Sequence, residues 1–438
     1  MNSFDYLMVG FAVLSAVALY QMRPCTLILA GNNMLACRAL SGVAQAGKPP
    51  SQWYLPTVIF AQDRLDTAAS ILTLCLVLIG ISTVVFVRSQ ARIGADAPRV
   101  PRWLLVAIGI YLVGFAGATS TIFTGGHAGA ATIRYSLNLG GAHAMLTGLV
   151  IYELARRRLL GSLGAWRAFL IAFVVFLATG YSKGTTGFTT GSLVVAAVLL
   201  LPRAGASRRL RNSARVAGVL LGIVFLSFVV RGSRTKLAEQ GIGAIGTFLD
   251  MAEEAEARRD SYGEGAESVA NAHQTVAHML ECVDLYDSGN SREWRSIYNV
   301  VEYTLIPSFF MQWFGWTRSI EPAWELARHF IHGGGINLLG ELYWNGGFLC
   351  VVVVFGAIVL FCAIVDVRYR ASPFWLMMAT QFGPSLLMGY GYGFPQVSRG
   401  AINGLLAVAA YKVYLILRGA PAQPPEGVLR TIPVSEKT

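Results

Sequence analysis

From Leu338 to Val365 the chain is apolar almost without interruption, enough to cross a hydrocarbon core of roughly 30 Å, which takes about 20 helical residues. Its entrance is polar. The run R-S-I-E-P-A-W-E-L-A-R-H-F-I-H-G-G-G-I-N leads into it from Arg318, Gly333, Gly334 and Gly335 mark the join, and Glu341, Asn345, Gly346 and Gly347 lie just inside. Ionisable and flexible groups at that depth face a cavity more often than lipid, and they mark function.

Nine further apolar runs share the chain: about 6–20, 67–87, 103–123, 137–154, 166–180, 188–201, 216–230, 374–390 and 401–417. With 54% hydrophobic and 13% charged residues, against about a quarter charged in soluble proteins, the expected fold is an all-α polytopic membrane protein of about ten helices. Basic clusters at Arg88–Arg102, Arg156–Arg167, Arg203–Arg215 and Arg368–Arg370 are separated by even numbers of runs, so all four can share one face, the cytoplasmic one. This places both termini in the cytoplasm. The chain then divides into spans 1–7 (1–231), one large periplasmic loop (232–336), spans 8–10 (337–417) and a Pro-rich, disordered cytoplasmic tail (418–438). Residues 21–66 fit least well, since they put Arg23, Arg38, Lys48 and Arg64 outside against Asp63 and Asp66; an added hairpin there would raise the count to twelve.

The net charge of +11 invites a nucleic-acid partner, but its distribution argues against one. Residues 232–334 hold 8 Lys/Arg against 15 Asp/Glu, and the remainder 27 against 9, so the positive charge belongs to short loops and tails. Of six cysteines only Cys25 and Cys37 are close enough in sequence to pair locally, and their spacing matches no metal site. The N-terminal run lacks a small-residue cleavage signature and reads as a retained span. No repeat of fixed period is visible.

Within the outward segment, residues 247–281 are acidic and helix-friendly, a solvated face. Its His273 and His278 stand five apart, which does not put them on one helical face, so no metal site is assigned. From Tyr303 the run Y-T-L-I-P-S-F-F-M-Q-W-F-G-W-T-R carries Trp313 and Trp316 in an aromatic strip broken by Pro307 and Gly315. Such rings settle at a membrane interface, and they also stack on sugar faces.

Cations gather on the same outward face: Arg231 and Arg234 directly after the seventh run, Lys183 in the turn Y-S-K-G-T-T-G, Arg399 at the head of the last run, and Arg318 and Arg328. Basic residues on that side call for an anion. A planar guanidinium forms bidentate bonds to phosphate oxygens, which lipid headgroups and the pyrophosphates of lipid carriers both supply.

Together, R-G-S-R after a span, the polar outward loop with its aromatics, G-G-G-I-N-L-L-G-E-L-Y-W-N-G-G-F-L leading into an apolar helix, and an outward Arg-Gly before the last span resemble the O-antigen polymerase (Wzy) family of oligosaccharide repeat-unit polymerases. The most specific part is the G-G-G-x-N/S-x-x-G-E-x-Y-x-x-x-G-x-x-G pattern, with Cys350 at its last glycine. The resemblance implies a metal-free and cofactor-free glycosyltransferase of the bacterial inner membrane. It would join undecaprenyl-pyrophosphate-linked repeat units at the periplasmic face, in lipopolysaccharide or similar polysaccharide synthesis, with a chain-length regulator and a flippase of the same pathway as partners.

A pyrophosphate leaving group needs its developing charge neutralised and two substrates positioned, which arginines can do. Candidates for that are Arg318, Arg231, Arg234, Arg399 and Arg328, with Lys183 a weaker member and Trp313 and Trp316 against the sugars. The acceptor hydroxyl needs a base within hydrogen-bond reach, for which His329 or His332 come first and Glu341 next. Three other readings stay open: a ligase of similar layout that passes the glycan to a lipid A core, a transporter of the same lipids, and a structural membrane subunit. A transporter would be expected to carry charge at mid-membrane and paired repeats, neither of which the sequence shows.

Overall fold

The computed structural model describes residues 2–46, 61–86, 106–110, 198, 218, 278–305, 314–315, 319–320, 322–329, 336–369 and 373–417. The spans expected at about 103–123, 137–154, 166–180, 188–201 and 216–230 lie outside these residues, apart from 106–110, 198 and 218.

Among the described residues the architecture is all-α: α1 (Ser3–Tyr20), α2 (Pro24–Ala46), α3 (Gln62–Val85), α4 (Arg295–Tyr298), α5 (Val300–Leu305), α6 (Pro322–His329), α7 (Leu338–Cys350), α8 (Gly356–Arg368) and α9 (Pro373–Leu417). Residues 278–287 are also helical, and a π-helical turn, Val351–Phe355, joins α7 to α8. The described residues contain no strand, only an isolated parallel bridge from Ile336 to Tyr392. Among the described residues four helices are long and apolar enough to cross a membrane: α1, α2 over Pro24–Gln45, α3, and the rod Leu338–Arg368 made by α7 and α8. Their outer faces expose Val13, Ile81, Val84, Leu349 and Val353, as side chains bathed in lipid would be.

Helix α2 puts a membrane-length helix into the stretch 21–66, expected as an outward loop with an added hairpin as the alternative; residues 47–60 lie outside the described residues. Asn32, Asn33 and Arg38 interrupt its apolar character, yet both asparagines are buried and bonded, Asn32 Nδ2 to Leu386 O (3.3 Å) and Asn33 Nδ2 to Leu29 O (2.9 Å). A turn at Gln21–Arg23 folds α2 back on α1. The other end of the pair is tied by Asn2, whose Nδ2 donates to Ser41 O (3.3 Å), and by the Ser41 hydroxyl, which donates to Asp5 Oδ1 (2.5 Å). Asn2 and Asp5 also form a reciprocal capping box that starts α1.

Two ends of the bundle follow from such ties. At the first, Arg23 Nη1 donates to Ser82 O (3.3 Å), Tyr369 OH to Met22 O (2.9 Å), and the backbone N–H groups of Cys25 and Thr26 to Asp366 (2.9 and 2.8 Å). This basic end holds Arg23, Arg368 and Lys412. At the opposite end Arg64, on α3, pairs with Asp284 (2.9 Å), and the segment 284–296 packs there; we call it the loop end. Asn2 therefore lies at the loop end and Lys412 at the basic end. Arg23, expected outside, sits with the other basic residues.

Helix α9 is two helices that meet at Gly393, and it is a hairpin. Gly393 is left-handed at φ 74°, and beyond it the chain doubles back. A Cβ at Gly389 would strike Val397, one at Gly400 would strike Ser385, and Lys412 Nζ stands over the Phe374 ring at 5.1 Å. Such pairs touch only if the arms Pro373–Tyr392 and Phe394–Leu417 run antiparallel. The two expected last spans are these arms, but residues 394–398, expected in the turn, are helical, and the reversal takes a single glycine.

Candidate functional site at the loop end

The N-L-L-G-E-L-Y-W-N-G-G stretch folds as the first turns of α7, ending at a break where Gly346 (φ −174°) and Gly347 (φ 62°) leave the helical region. Nearly every residue in it meets a partner from elsewhere in the chain. Asn337 Oδ1 caps the helix by accepting from the N–H groups of Leu339 and Gly340 (2.9 and 3.2 Å). A Cβ at Gly340 would come 2.7 Å from Met279 Cα, so helix 278–287 crosses α7 there, backbone against backbone. Tyr343 OH donates to Asp287 (3.1 Å).

Just before the break, carbonyls that a continuous helix would use need other donors. The segment 291–296 provides them: Arg292 N–H donates to Trp344 O (3.0 Å) and Trp294 N–H to Asn345 O (2.8 Å). Asn345 adds a two-way bond, its Oδ1 accepting from Ser296 N–H (2.9 Å) and its Nδ2 donating to the Ser296 hydroxyl (3.0 Å). To reach them the chain turns through left-handed Glu293 (φ 52°) and Trp294 (φ 65°). A side chain at Gly347 would meet both a forbidden φ and Tyr286 OH, 2.6 Å from where its Cβ would stand. From Phe348 the rod continues to Arg368, about 31 Å at the helical rise, so the break lies at the loop end of a full-length traverse.

Glu341 reaches the tip of the hairpin. Its Oε2 accepts from Phe394 N–H (2.7 Å), the first amide after the reversal, and a Cβ at Gly393 would fall on that same carboxylate. Ile336 N–H donates to Gly391 O (3.3 Å) on the other side of the tip. The carboxylate thus supplies the cap that a longer loop otherwise would. Glu341 is fully buried, and the task seen for it is to hold the tip.

Around Trp344 a second group assembles. Its indole N–H donates to Asn290 O (2.6 Å), the Arg292 guanidinium stands 5.1 Å from its ring centroid, and the His329 ring meets it edge-on at 6.4 Å and 87°. Arg292 is 2% exposed and pairs with Glu325 of α6 at 2.6 Å. Helix α6 begins at Pro322, whose missing N–H costs nothing there, and ends in exposed Arg328 and His329. Arg399, half-buried on the second arm of α9, donates from Nη2 to Tyr303 O (2.9 Å), and Tyr303 OH donates to Ile320 O (3.0 Å).

Of the residues singled out from sequence, His329, Arg328, Glu341 and Arg399 are therefore all at the loop end. Arg318, His332, Arg231, Arg234, Lys183, Trp313 and Trp316 lie outside the described residues. Arg292, Glu325 and Trp344 were not expected, since nothing periodic relates positions 33 and 52 residues apart. Glu281 also escaped notice: it is fully buried on helix 278–287, and burial pushes its carboxyl up to about 8. Beside it, burial first and then the Glu281 carboxylate push the Cys282 thiol up. All six cysteines are buried and unpaired, Cys25 and Cys37 included.

No known protein family, curated protein or solved structure matches this chain.

Proposed function

We propose that the chain is a polymerase of the O-antigen (Wzy) type, joining undecaprenyl-pyrophosphate-linked oligosaccharide repeat units at the periplasmic face of the bacterial inner membrane. What carries the reading is the convergence at the loop end: exposed Arg328 and His329 at the tip of α6, and Arg399 at the head of the last arm, beside a glycine-broken α7. The loop end is then periplasmic and the basic end cytoplasmic. His329 takes the proton of the acceptor hydroxyl as that oxygen attacks the anomeric carbon, and the pyrophosphate departs with its charge held by arginines. Arg328 and Arg399 serve there, with Arg318, Arg231, Arg234 and Lys183 as further candidates and His332 as the alternative base.

A transport reading is less well supported. The described ionisable groups gather toward the two ends of the bundle, while Asn32 and Asn33 are the polar residues midway along α2. The test is the ladder of surface polysaccharide from cells lacking the gene, complemented with the native chain or with His329→Ala at matched membrane level. A polymerase leaves the deletion strain with core plus one repeat unit, and the native chain restores the ladder while the variant does not. Bare core, with long polymer accumulating on the carrier lipid, would instead identify a ligase. An unchanged ladder in the deletion strain would dismiss both.

A further inference from the structure

We infer that the Arg292–Glu325 pair, a buried guanidinium against a partly exposed carboxylate, acting through the Trp344 ring, is the device that positions Arg328 and His329, so that Arg292, Glu325 and Trp344 are positioning residues of the site. The inference rests on the polymerase reading for its consequence but not for its geometry.

Helix α6 has only eight residues, too short to hold itself together in water. Its docking must therefore come from the face it presents inward. Glu325 and His329 are one turn apart and share that face, with Leu326 between them buried against Cys282, Leu285, Ile336 and Trp344. Glu325 binds Arg292 at 2.6 Å and His329 meets the edge of Trp344, the ring on which Arg292 is stacked. These two contacts of α6 thus end on one block.

That block is itself fixed. Trp344 is held by Asn290 O through its indole N–H, and Arg292 by its backbone bond to Trp344 O. A guanidinium 2% exposed needs its anion, because an uncompensated buried charge is costly, and a planar cation can pair and stack at once where an ammonium cannot. A buried guanidinium is thus paired to an eight-residue helix whose exposed end carries an arginine and a histidine.

The test uses the full chain in lipid nanodiscs and in cells. Hydrogen–deuterium exchange compares peptides covering 322–329 and 338–345 in the native chain, Glu325→Gln, Arg292→Lys, and the charge swap Arg292→Glu with Glu325→Arg. Each single variant should speed exchange over 322–329 by about tenfold or more while 338–345 stays protected, and the swap should recover part of that protection. In cells the ladder should fall with the singles and return partly with the swap. A direct substrate contact by Arg292 would not be rescued in that way. Unchanged exchange in the singles would overturn the pair as the anchor of α6. Faster exchange with an intact ladder would overturn its role in the reaction. Failure of the polymerase reading shows separately, as a ladder that does not depend on the native gene.

Discussion

The rod formed by α7 and α8 carries a buried carboxylate near each end, and both accept backbone N–H groups at the start of another helix. Asp366, at the basic end, takes the amides of Cys25 and Thr26 and the Thr26 hydroxyl (2.9, 2.8 and 2.7 Å). Glu341, at the loop end, takes Phe394 N–H across the reversal at Gly393. One chemical device thus serves two surroundings. Around Asp366 the chain is ordinary helix starting at Pro24, which gives an anchor. Around Glu341 there are two glycine breaks, a stitched loop and exposed cations on a short helix, and those features let a backbone approach closely and present charge. A buried carboxylate alone does not distinguish a site from an anchor; its neighbours do.

The comparison breaks first, and hardest, at Gly393. Gly393→Ala places a side chain in the left-handed region, roughly 1–3 kcal/mol of strain, and drives its methyl into the Glu341 carboxylate. The expected loss is roughly 4 kcal/mol or more, read as failure to accumulate in membranes or as a collapsed thermal midpoint. Ordinary accumulation and melting would mean that the tip is loosely held. Next comes Asp366→Ala, which strands three buried donors at the start of α2. A loss of roughly 3 kcal/mol is expected, with a normal ladder once membrane levels are matched. A ladder lost out of proportion to stability would show that the basic end also serves the reaction.

Some of this was legible in sequence and some was not, for physical reasons. The motif around Glu341 stood out because polar and glycine residues in an apolar run are costly in lipid and need a cause. Its partners were invisible: Phe394 is 53 residues away and Ser296 is 49 from Asn345, and no local periodicity encodes such separations. Glycines expected to face a cavity were found against protein, Gly346 against Trp294 and Gly347 against Tyr286. Helix α2 stood in the sequence only within the added-hairpin alternative, because Asn32, Asn33 and Arg38 dilute its apolar signal. The hairpin tip, expected between runs that end at 390 and resume at 401, needs one residue, since Glu341 supplies the cap from another helix.

A smaller effect concerns Glu281, on the helix that crosses α7 at Gly340. Its carboxyl is raised by burial from 4.5 to about 8, so the folded chain keeps a proton that the unfolded chain releases above the ordinary value. The unfolded state then binds fewer protons between those values, and stability falls as pH rises from about 4.5 to about 8. Glu281→Gln should remove this slope and raise stability at pH 8 by on the order of 2 kcal/mol, with little change at pH 4.5. Melting curves of both proteins across that range decide it; parallel curves would mean that Glu281 ionises freely in the fold.

The smallest change in stability, and the sharpest distinction between the two carboxylates, is expected from Glu341→Gln. An amide oxygen can still accept Phe394 N–H, so the hairpin tip keeps its cap and the loss should be about 1 kcal/mol. What the amide cannot do is take a proton. If Glu341 acts only by holding the tip, Glu341→Gln keeps the ladder, Glu341→Ala loses it together with stability, and the loop-end carboxylate differs from Asp366 in its neighbours alone. If Glu341 is the base, the ladder disappears in a Gln variant that melts almost normally, whereas Asp366→Asn leaves it intact. His329→Ala supplies the third comparison: loss of the ladder there and not in Glu341→Gln assigns the proton to the exposed imidazole on α6 and leaves the buried carboxylate as the part that keeps α7 and the hairpin in register.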